Sequence, residues 1–417
     1  MIGEIIAIGN ELTSGRVLNT TSRYAAGMLF SAGYEITAMA TVRDTPSEIS
    51  ETLKRAINRS DFIIVTGGLG ATTDDLTNEV VGQALGRPVV FHPEIFSRIK
   101  ARLHNPDDQA LSNLKKIAML PTGAEPLNPA RMAGYLLVHD NKPIFFLPGV
   151  PHEMQELIAE KVIPRLAFWQ GAEGKEVAQR VYKIFGLGET EINRIINHLE
   201  ENNDRVRIGY YPVFPEVHLS LTVIDENKAE TSGIFNQLDK EIRSSLGHFL
   251  FGTDEDTMES VIGELLRGQQ KFLATAESCS GGLIAHKITS VPGSSDYFAG
   301  GVVAYSNDLK EKFLGVDPSL IVAHGAVSNQ VARAMAEGIR YKTGADIGVA
   351  VTGIAGPTGG TQKKPVGTVF IGLATSTETE VILCRFSGNR WQIQELTAVK
   401  SLELIRRRLL GIPIQTA

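Results

Sequence analysis

In the last third of the chain, Ala276-Glu277-Ser278-Cys279-Ser280-Gly281-Gly282 follows an apolar run and precedes a helical pattern. Small side chains and backbone N–H groups at such a strand-to-helix turn suit an anion, either a phosphate or the oxyanion formed when a hydroxyl attacks a carbonyl. On its own the segment reads equally as a serine cap beside two glycines that permit a tight turn. A second segment, Gly300 to Lys310, places Tyr305 at the end of a strand and Lys310 in the first turn of the next helix. A lysine in an enclosed site can give up its proton and act as a base, and a tyrosine can orient or relay that proton. The plain readings are a solvated helix lysine and a half-buried strand tyrosine. A third segment, Thr352-Gly353-Ile354-Ala355-Gly356-Pro357, ends a strand in a glycine-rich loop whose amides suit phosphate.

A separate constellation lies near the start. Thr66-Gly67-Gly68-Leu69-Gly70-Ala71-Thr72-Thr73-Asp74-Asp75 follows an apolar strand and enters a helix. Glycines there let a phosphate approach, and two aspartates beside it would repel it unless a cation intervened, so the combination points to a metal. Gly9-Asn10-Glu11-Leu12-Thr13-Ser14-Gly15 ends the first strand at the same sheet edge and adds a carboxylate. The plain alternative is that Thr72 or Thr73 caps a helix and the acids complement its dipole.

Periodicity predicts strands at Glu4 to Ile8, Glu35 to Thr41 and Phe62 to Thr66, with helices near Thr20 to Ser31 and Ser47 to Asn58 between them. That βαβαβ order predicts a parallel sheet with helices on both faces, whose ligands bind beyond the carboxyl ends of the strands. A further strand, Ile144 to Leu147, runs through Pro148-Gly149-Val150-Pro151 into a helix from about His152. The rhythm then changes: strand Arg180 to Phe185, helix Glu189 to Glu201, strands Arg205 to Tyr211 and Val217 to Val223, and helix Ala229 to Leu246 form a small α+β module. Glycine-rich α/β patterning returns beyond Asp254, with strands at Phe272 to Thr275, Ala299 to Tyr305, Ala345 to Val351, Val366 to Ala374 and Glu380 to Phe386. We place domains at 1–170, 171–253 and 254–417.

The chain of 417 residues exceeds what one core usually organises. Its 43% hydrophobic and 21% charged residues are those of a folded globular protein. A net charge of −6 argues against a general grip on nucleic acid. The basic run Arg406-Arg407-Arg408 is expected to be the solvated end of a last helix, where cations suit the dipole. Two cysteines, Cys279 and Cys384, support neither a disulfide framework nor a cysteine metal site. No basic leader and no bilayer-length apolar stretch is present, so a cytoplasmic protein without membrane attachment is expected. The nine histidines form no ligand cluster in sequence.

The three C-terminal segments, with Pro365-Val366-Gly367-Thr368-Val369 and Phe386-Ser387-Gly388-Asn389-Arg390, resemble the C-terminal domain of the CinA family. The resemblance implies a nicotinamide mononucleotide deamidase with Ser278 as nucleophile, Lys310 as its base and Tyr305 orienting the proton transfers. It implies substrate contacts at Gly281, Gly282, Ser306, Asn307, Thr352, Gly353, Gly356 and Arg390, and no metal for this reaction. Ser280 stands where the family commonly has threonine, a change that keeps the hydroxyl. His286 and His324 remain alternative bases. The N-terminal segments resemble the family's molybdopterin-binding fold. That likeness implies metal-dependent hydrolysis of ADP-ribose, with Gly67, Gly68 and Gly70 at the phosphate and Glu11, Asp74 and Asp75 near a magnesium-like ion. Ala71 replaces the usual proline, and the loop from Asn128 to Gly134, with Arg131, departs from a glycine-rich version. A domain that only holds a molybdopterin-like ligand, or a regulatory partner in competence or recombination, is the alternative. The middle module resembles a KH-like domain, but Phe185-Gly186-Leu187-Gly188-Glu189 lacks the GxxG that grips nucleic-acid backbone. Direct nucleic-acid binding is therefore not expected, and the module is read as a spacer or a dimerisation unit of a homodimer.

Overall fold

The computed structural model describes residues 1–72, 75–101, 107–128, 134–171, 176–200, 203–225 and 227–414. The chain divides into two compact units, Met1–Ala178 with Val223–Ile234, and Gln179–Thr222 with Phe235–Ala417. Residues 179–222 of the middle module thus group with the C-terminal domain. Among the described residues no helix is long and apolar enough to cross a membrane.

The first unit is built from β1 (Ile2–Ile8), β2 (Glu35–Val42) and β3 (Phe62–Thr66), a two-stranded ribbon of β4 (Val89–Phe91) and β5 (Met119–Pro121), and then β6 (Glu125–Pro126), β7 (Tyr135–His139) and β8 (Lys142–Leu147). The sheet order is β2-β1-β3-β8-β7-β6. Strands β2, β1, β3 and β8 are parallel, and β7 and β6 add on antiparallel. The sheet is mixed where the periodicity predicts a parallel one. The reason is local: Asp140 and Asn141, with φ of 48° and 59°, join β7 to β8 as a two-residue hairpin, which turns the chain straight back. Central β3 reads Phe-Ile-Ile-Val-Thr and is buried throughout, as expected of a strand covered on both faces.

The middle module contributes a four-stranded sheet, in the order β10-β11-β9-β12, of β9 (Glu176–Ile184), β10 (Val206–Val213), β11 (Glu216–Asp225) and β12 (Leu250–Thr253). Strands β10 and β11 are joined at Phe214-Pro215. The helix expected to reach Glu201 ends at Ile196 and passes into a 3₁₀ turn, Asn197–Leu199.

The C-terminal sheet, ordered β14-β13-β15-β16-β17, consists of β13 (Leu273–Glu277), β14 (Phe298–Val303), β15 (Ile347–Gly353), β16 (Thr368–Ala374) and β17 (Thr379–Arg385). The first three are parallel; β16 runs antiparallel to β15, and β17 antiparallel to β16, because loops rather than crossover helices precede them. Helix Asn329–Thr343 covers one face through Val331, Met335, Ala336 and Ile339. Helices Met258–Gly268 and Arg390–Leu410 cover the other, through Ile262, Leu266, Ile393, Leu402 and Ile405.

The basic run is not solvated. Arg406 and Arg407 are buried and both pair with buried Glu403, at 2.7 and 2.6 Å, while Arg408 reaches Glu378 and Glu380. Three arginines in succession necessarily point around the helix, and two of them fall on the face that meets a carboxylate one turn back. Removing one partner of a buried ion pair leaves an uncompensated charge. Glu403→Ala is therefore expected to lower the stability of the C-terminal domain by about 3–5 kcal/mol, read as a shift of its chemical unfolding midpoint; an unchanged midpoint would mean the pairing contributes nothing.

Candidate active site

The carboxyl ends of β13, β14 and β15 lie side by side, and the residues that follow them make the C-terminal site. Strand β13 ends in Glu277 and gives way to the turn Ser278 to Gly282, where Gly281 and Gly282 take φ of 68° and 99°. The helix begins only at Leu283. Its late start has a cause: the buried Glu277 carboxylate accepts from Ser280 Oγ (2.6 Å) and from the N–H groups of Gly282 (3.0 Å), Ile284 (3.1 Å) and Ala285 (2.8 Å). The amides of Gly282, Ile284 and Ala285 are thus engaged by a side chain of the protein itself rather than left for an anion. An acidic residue ending an otherwise apolar strand was the signal for Glu277.

Ser278 is held at the strand end by its N–H bond to the Val351 carbonyl (3.1 Å). Lys310, only 2% exposed, stands in helix Asn307–Leu314, which Ser306 caps by accepting from Leu309 N–H. Its Nζ lies 3.2 Å from Ser278 Oγ and donates to the carbonyls of Ala304 (2.8 Å) and Tyr305 (3.4 Å). Among the described residues no carboxylate pairs with it. Burial accordingly pulls its pKa below the ordinary lysine value, opposed by the neighbouring Cys279. A lysine so placed releases its proton more readily than a solvated one, and the neutral amine can accept the proton of Ser278. Burial pushes the Cys279 thiol the other way, up to about 12, so the adjacent sulfur is no thiolate nucleophile.

Tyr305 is 57% exposed, and its hydroxyl accepts from Arg390 Nη2 at 2.8 Å. Arg390 opens helix Arg390–Leu410, capped by Asn389, and its Nη1 donates to the Gly356 carbonyl at 2.8 Å. From the same helix Gln394 donates to the Cys279 carbonyl at 3.0 Å, a contact that sequence reading missed. Thr352 is buried at the end of β15 with its hydroxyl on the Ala326 carbonyl, followed by Gly353; Asn307 is the exposed first residue of its helix. Both His286 and His324 are exposed and neither bonds to Ser278.

In the first unit a cavity of about 580 Å³ opens at the carboxyl ends of β1, β3 and β8, lined by Glu11, Gly67, Gly68, Gly70, Asp75 and Glu153 among others. A Cβ at Gly67, whose φ is 97°, would fall 2.2 Å from the Ile8 carbonyl oxygen, so the backbone itself forms the cavity floor. Asp75 Oδ2 is turned into the loop, accepting from Thr72 N–H (2.8 Å) and hydroxyl (2.5 Å), and the helix starts at Thr77 without a side-chain cap. Asp74 and Arg131 lie outside the described residues. Among the described residues no three His, Cys, Asp or Glu side chains converge as a metal would require. Among the described residues Glu11 and Asp75 are the expected metal-binding carboxylates that line this cavity.

Three family models match in succession: "Probable molybdopterin binding domain" over residues 4–167, "Damage-inducible protein CinA KH domain" over 179–252 and "CinA C-terminal domain" over 255–409. A "CinA-like protein" of Desulfotalea psychrophila is 52% identical over 98% of both chains. Among solved structures, the competence/damage inducible protein CihA of Agrobacterium tumefaciens is 37% identical, covering 37% of this chain and 93% of its own, with a TM-score of 0.36. A CinA superfamily protein of Klebsiella pneumoniae is 28% identical, covering 37% of this chain and 99% of its own, also at 0.36.

The buried pair predicts a pH-dependent nucleophile. Lys310 must be neutral to activate Ser278, and its lowered pKa moves that change below the ordinary ~10.4 of lysine. Sulfonyl fluoride labelling of Ser278, followed by mass spectrometry, should accelerate as pH rises with a midpoint below that value. In Lys310→Met the labelling should be slow and its midpoint gone; an unaltered profile would remove Lys310 from the role.

Proposed function

The chain belongs to the CinA family, and on that premise we propose that its C-terminal domain hydrolyses nicotinamide mononucleotide to nicotinate mononucleotide and ammonia. The observation that carries the reading is the buried Lys310 Nζ at 3.2 Å from Ser278 Oγ, with no carboxylate among the described residues to hold its charge. A carboxamide is a poor electrophile, and a hydroxyl with an adjacent base divides its hydrolysis into two easier steps. Lys310 takes the Ser278 proton as Oγ bonds to the carboxamide carbon. The C–N bond then breaks, the same proton leaves on the nitrogen as ammonia, and an acyl ester remains on Ser278. Water, giving its proton to Lys310, attacks that ester and releases the carboxylate while Ser278 recovers its hydrogen. Arg390, bridging the Tyr305 hydroxyl and the Gly356 carbonyl, presents a cation at the rim where a substrate phosphate can bind. Tyr305 thereby acts at the rim through Arg390, and its bearing on the proton path is a proposal of the family resemblance.

A second activity is favoured by the N-terminal cavity. Its glycine floor suits a phosphate-bearing ligand such as ADP-ribose, and Glu11 and Asp75, with Asp74, are the groups that would hold a magnesium-like ion. Such an ion would supply charge neutralisation at the phosphates. Simple binding of a molybdopterin-like ligand is the competing use of the same cavity. A cytoplasmic homodimer acting in pyridine-nucleotide salvage completes the reading, with a regulatory role in competence as the alternative.

Ammonia release from nicotinamide mononucleotide tests the main reading directly. Ser278→Ala and Lys310→Ala should each lose on the order of 10²–10⁴ in rate, and the double variant little more, because base and nucleophile work as one unit. Lys310→Arg should not recover activity, since arginine keeps its proton. Tyr305→Phe should lose less than either. Strictly multiplicative losses, or an active Lys310→Arg protein, would reject the assignment. In a parallel assay, Asp75→Asn should abolish metal-stimulated AMP release from ADP-ribose and leave ammonia release unchanged; equal loss of both would show that the two sites are not separate.

A further inference from the structure

The hairpin of β10 and β11 ends in Phe214-Pro215, and the Phe214 ring lies on the Trp391 ring with centroids 5.6 Å apart and planes tilted by 39°. Both belong to the second unit. Trp391 sits between two side chains that hold the C-terminal site together. Arg390 precedes it and clamps Tyr305 to Gly356, and Gln394, one turn on and on the same helix face, carries the Cys279 carbonyl beside the nucleophile. Glu395, also one turn on, pairs with Lys287 at 3.1 Å, and Lys287 belongs to the helix that follows the Ser278 turn. Glu216, which follows the hairpin tip, is largely removed from water, which pushes its carboxyl up to about 7, with Lys183, Glu259 and Lys287 within electrostatic reach. His218 bonds to it at 3.1 Å.

We propose that Phe214 is a positioning residue for the C-terminal site: by covering Trp391 it fixes the first turn of helix Arg390–Leu410, and so the placement of Arg390 on Tyr305 and Gly356. The inference rests on the deamidase reading and deepens it, since it gives the middle module a part in that reaction. The physical case is one of constraint. A helix end is the part of a helix most prone to fray, because its first amides lack intrahelical partners. The capping box of Asn389 and Gln392 secures the backbone of this end, and the aromatic contact secures its outer side chain. Phe214 remains 44% and Trp391 57% exposed, so the contact is a local brace rather than part of a core. Removing it should loosen Arg390 more than it destabilises the domain.

The test uses the full chain with Trp169→Phe, which leaves Trp391 as the only tryptophan. In that background Phe214→Leu should red-shift the fluorescence of Trp391 and raise KM for nicotinamide mononucleotide about tenfold, close to 1.4 kcal/mol, with kcat changed less than twofold. Phe214→Tyr, which keeps the ring, should restore both. A Phe214→Leu protein with uncovered Trp391 and an unaltered KM would overturn the inference while leaving the deamidase reading intact. Equal falls in kcat and in folded fraction would overturn it in favour of a merely structural contact. A parent protein that releases no ammonia would reject the reaction itself, and this inference with it.

Discussion

Four donors converge on one carboxylate at the end of β13, and the rest of the C-terminal site is arranged around that convergence. Glu277 accepts one hydroxyl and three amides, four bonds that together satisfy a buried carboxyl group. Because these bonds span Ser280 to Ala285, they define the path of the chain after Ser278 and prevent the helix from beginning directly at the strand. Ser278 is left at the apex of a fixed turn, with its own amide on Val351 and its hydroxyl facing Lys310. The lysine then needs no carboxylate of its own. Two carbonyls and a hydroxyl receive the three hydrogens of the ammonium form, and on deprotonation the amine can keep its bonds to the carbonyls and turn its lone pair to the Ser278 hydroxyl.

Periodicity in the sequence located the strands that carry the site. Phe62–Thr66 and Thr20–Ser31 appear with the expected bounds because a continuous apolar run and an amphipathic stripe are local properties. The sense of the strands was less legible. Asp140-Asn141 reverses the chain between β7 and β8, yet a two-residue turn is easily lost between apolar runs. The ribbon of β4 and β5, with strands of three residues, falls below any usable period. Side-chain partnership was the least legible. Arg406 and Arg407 read as surface charge because their partner, Glu403, looks like one more polar residue of a helix face. The pairing of Ser278 with Lys310 entered through family resemblance and not through spacing, since a separation of 32 positions says nothing of distance until the sheet brings β13 and β14 together. The phenol of Tyr305 meets Arg390 rather than Ser278, an arrangement that depends on where the last helix begins.

Both sites occupy the same kind of place, beyond the carboxyl ends of parallel strands, where successive loops must meet. They are finished differently. In the first unit glycines bring bare backbone to the surface and leave a wide floor, with acidic side chains at its edge. In the second Glu277 engages the amides of Gly282, Ile284 and Ala285, and the site presents polar side chains: a hydroxyl, an amine, a phenol and a guanidinium. The first arrangement fits a ligand recognised mainly by its phosphates. The second fits chemistry at one carbon.

The burial of Lys310 also has an evolutionary side. An apolar residue of similar length at this position would escape the desolvation of an ammonium group, and exchanges of buried charge for well-packed hydrophobic side chains are often neutral or stabilising. Folding alone therefore does not maintain this lysine. Where a lineage has no need for the proposed reaction, drift should replace Lys310 early and without harm to the fold, whereas Glu277 and Glu403, each compensated by several partners, should outlast it. Position 310 would then serve as a record of use: lysine retained in a descendant chain marks chemistry still under selection, and its loss from an otherwise intact domain marks a scaffold turned to another purpose.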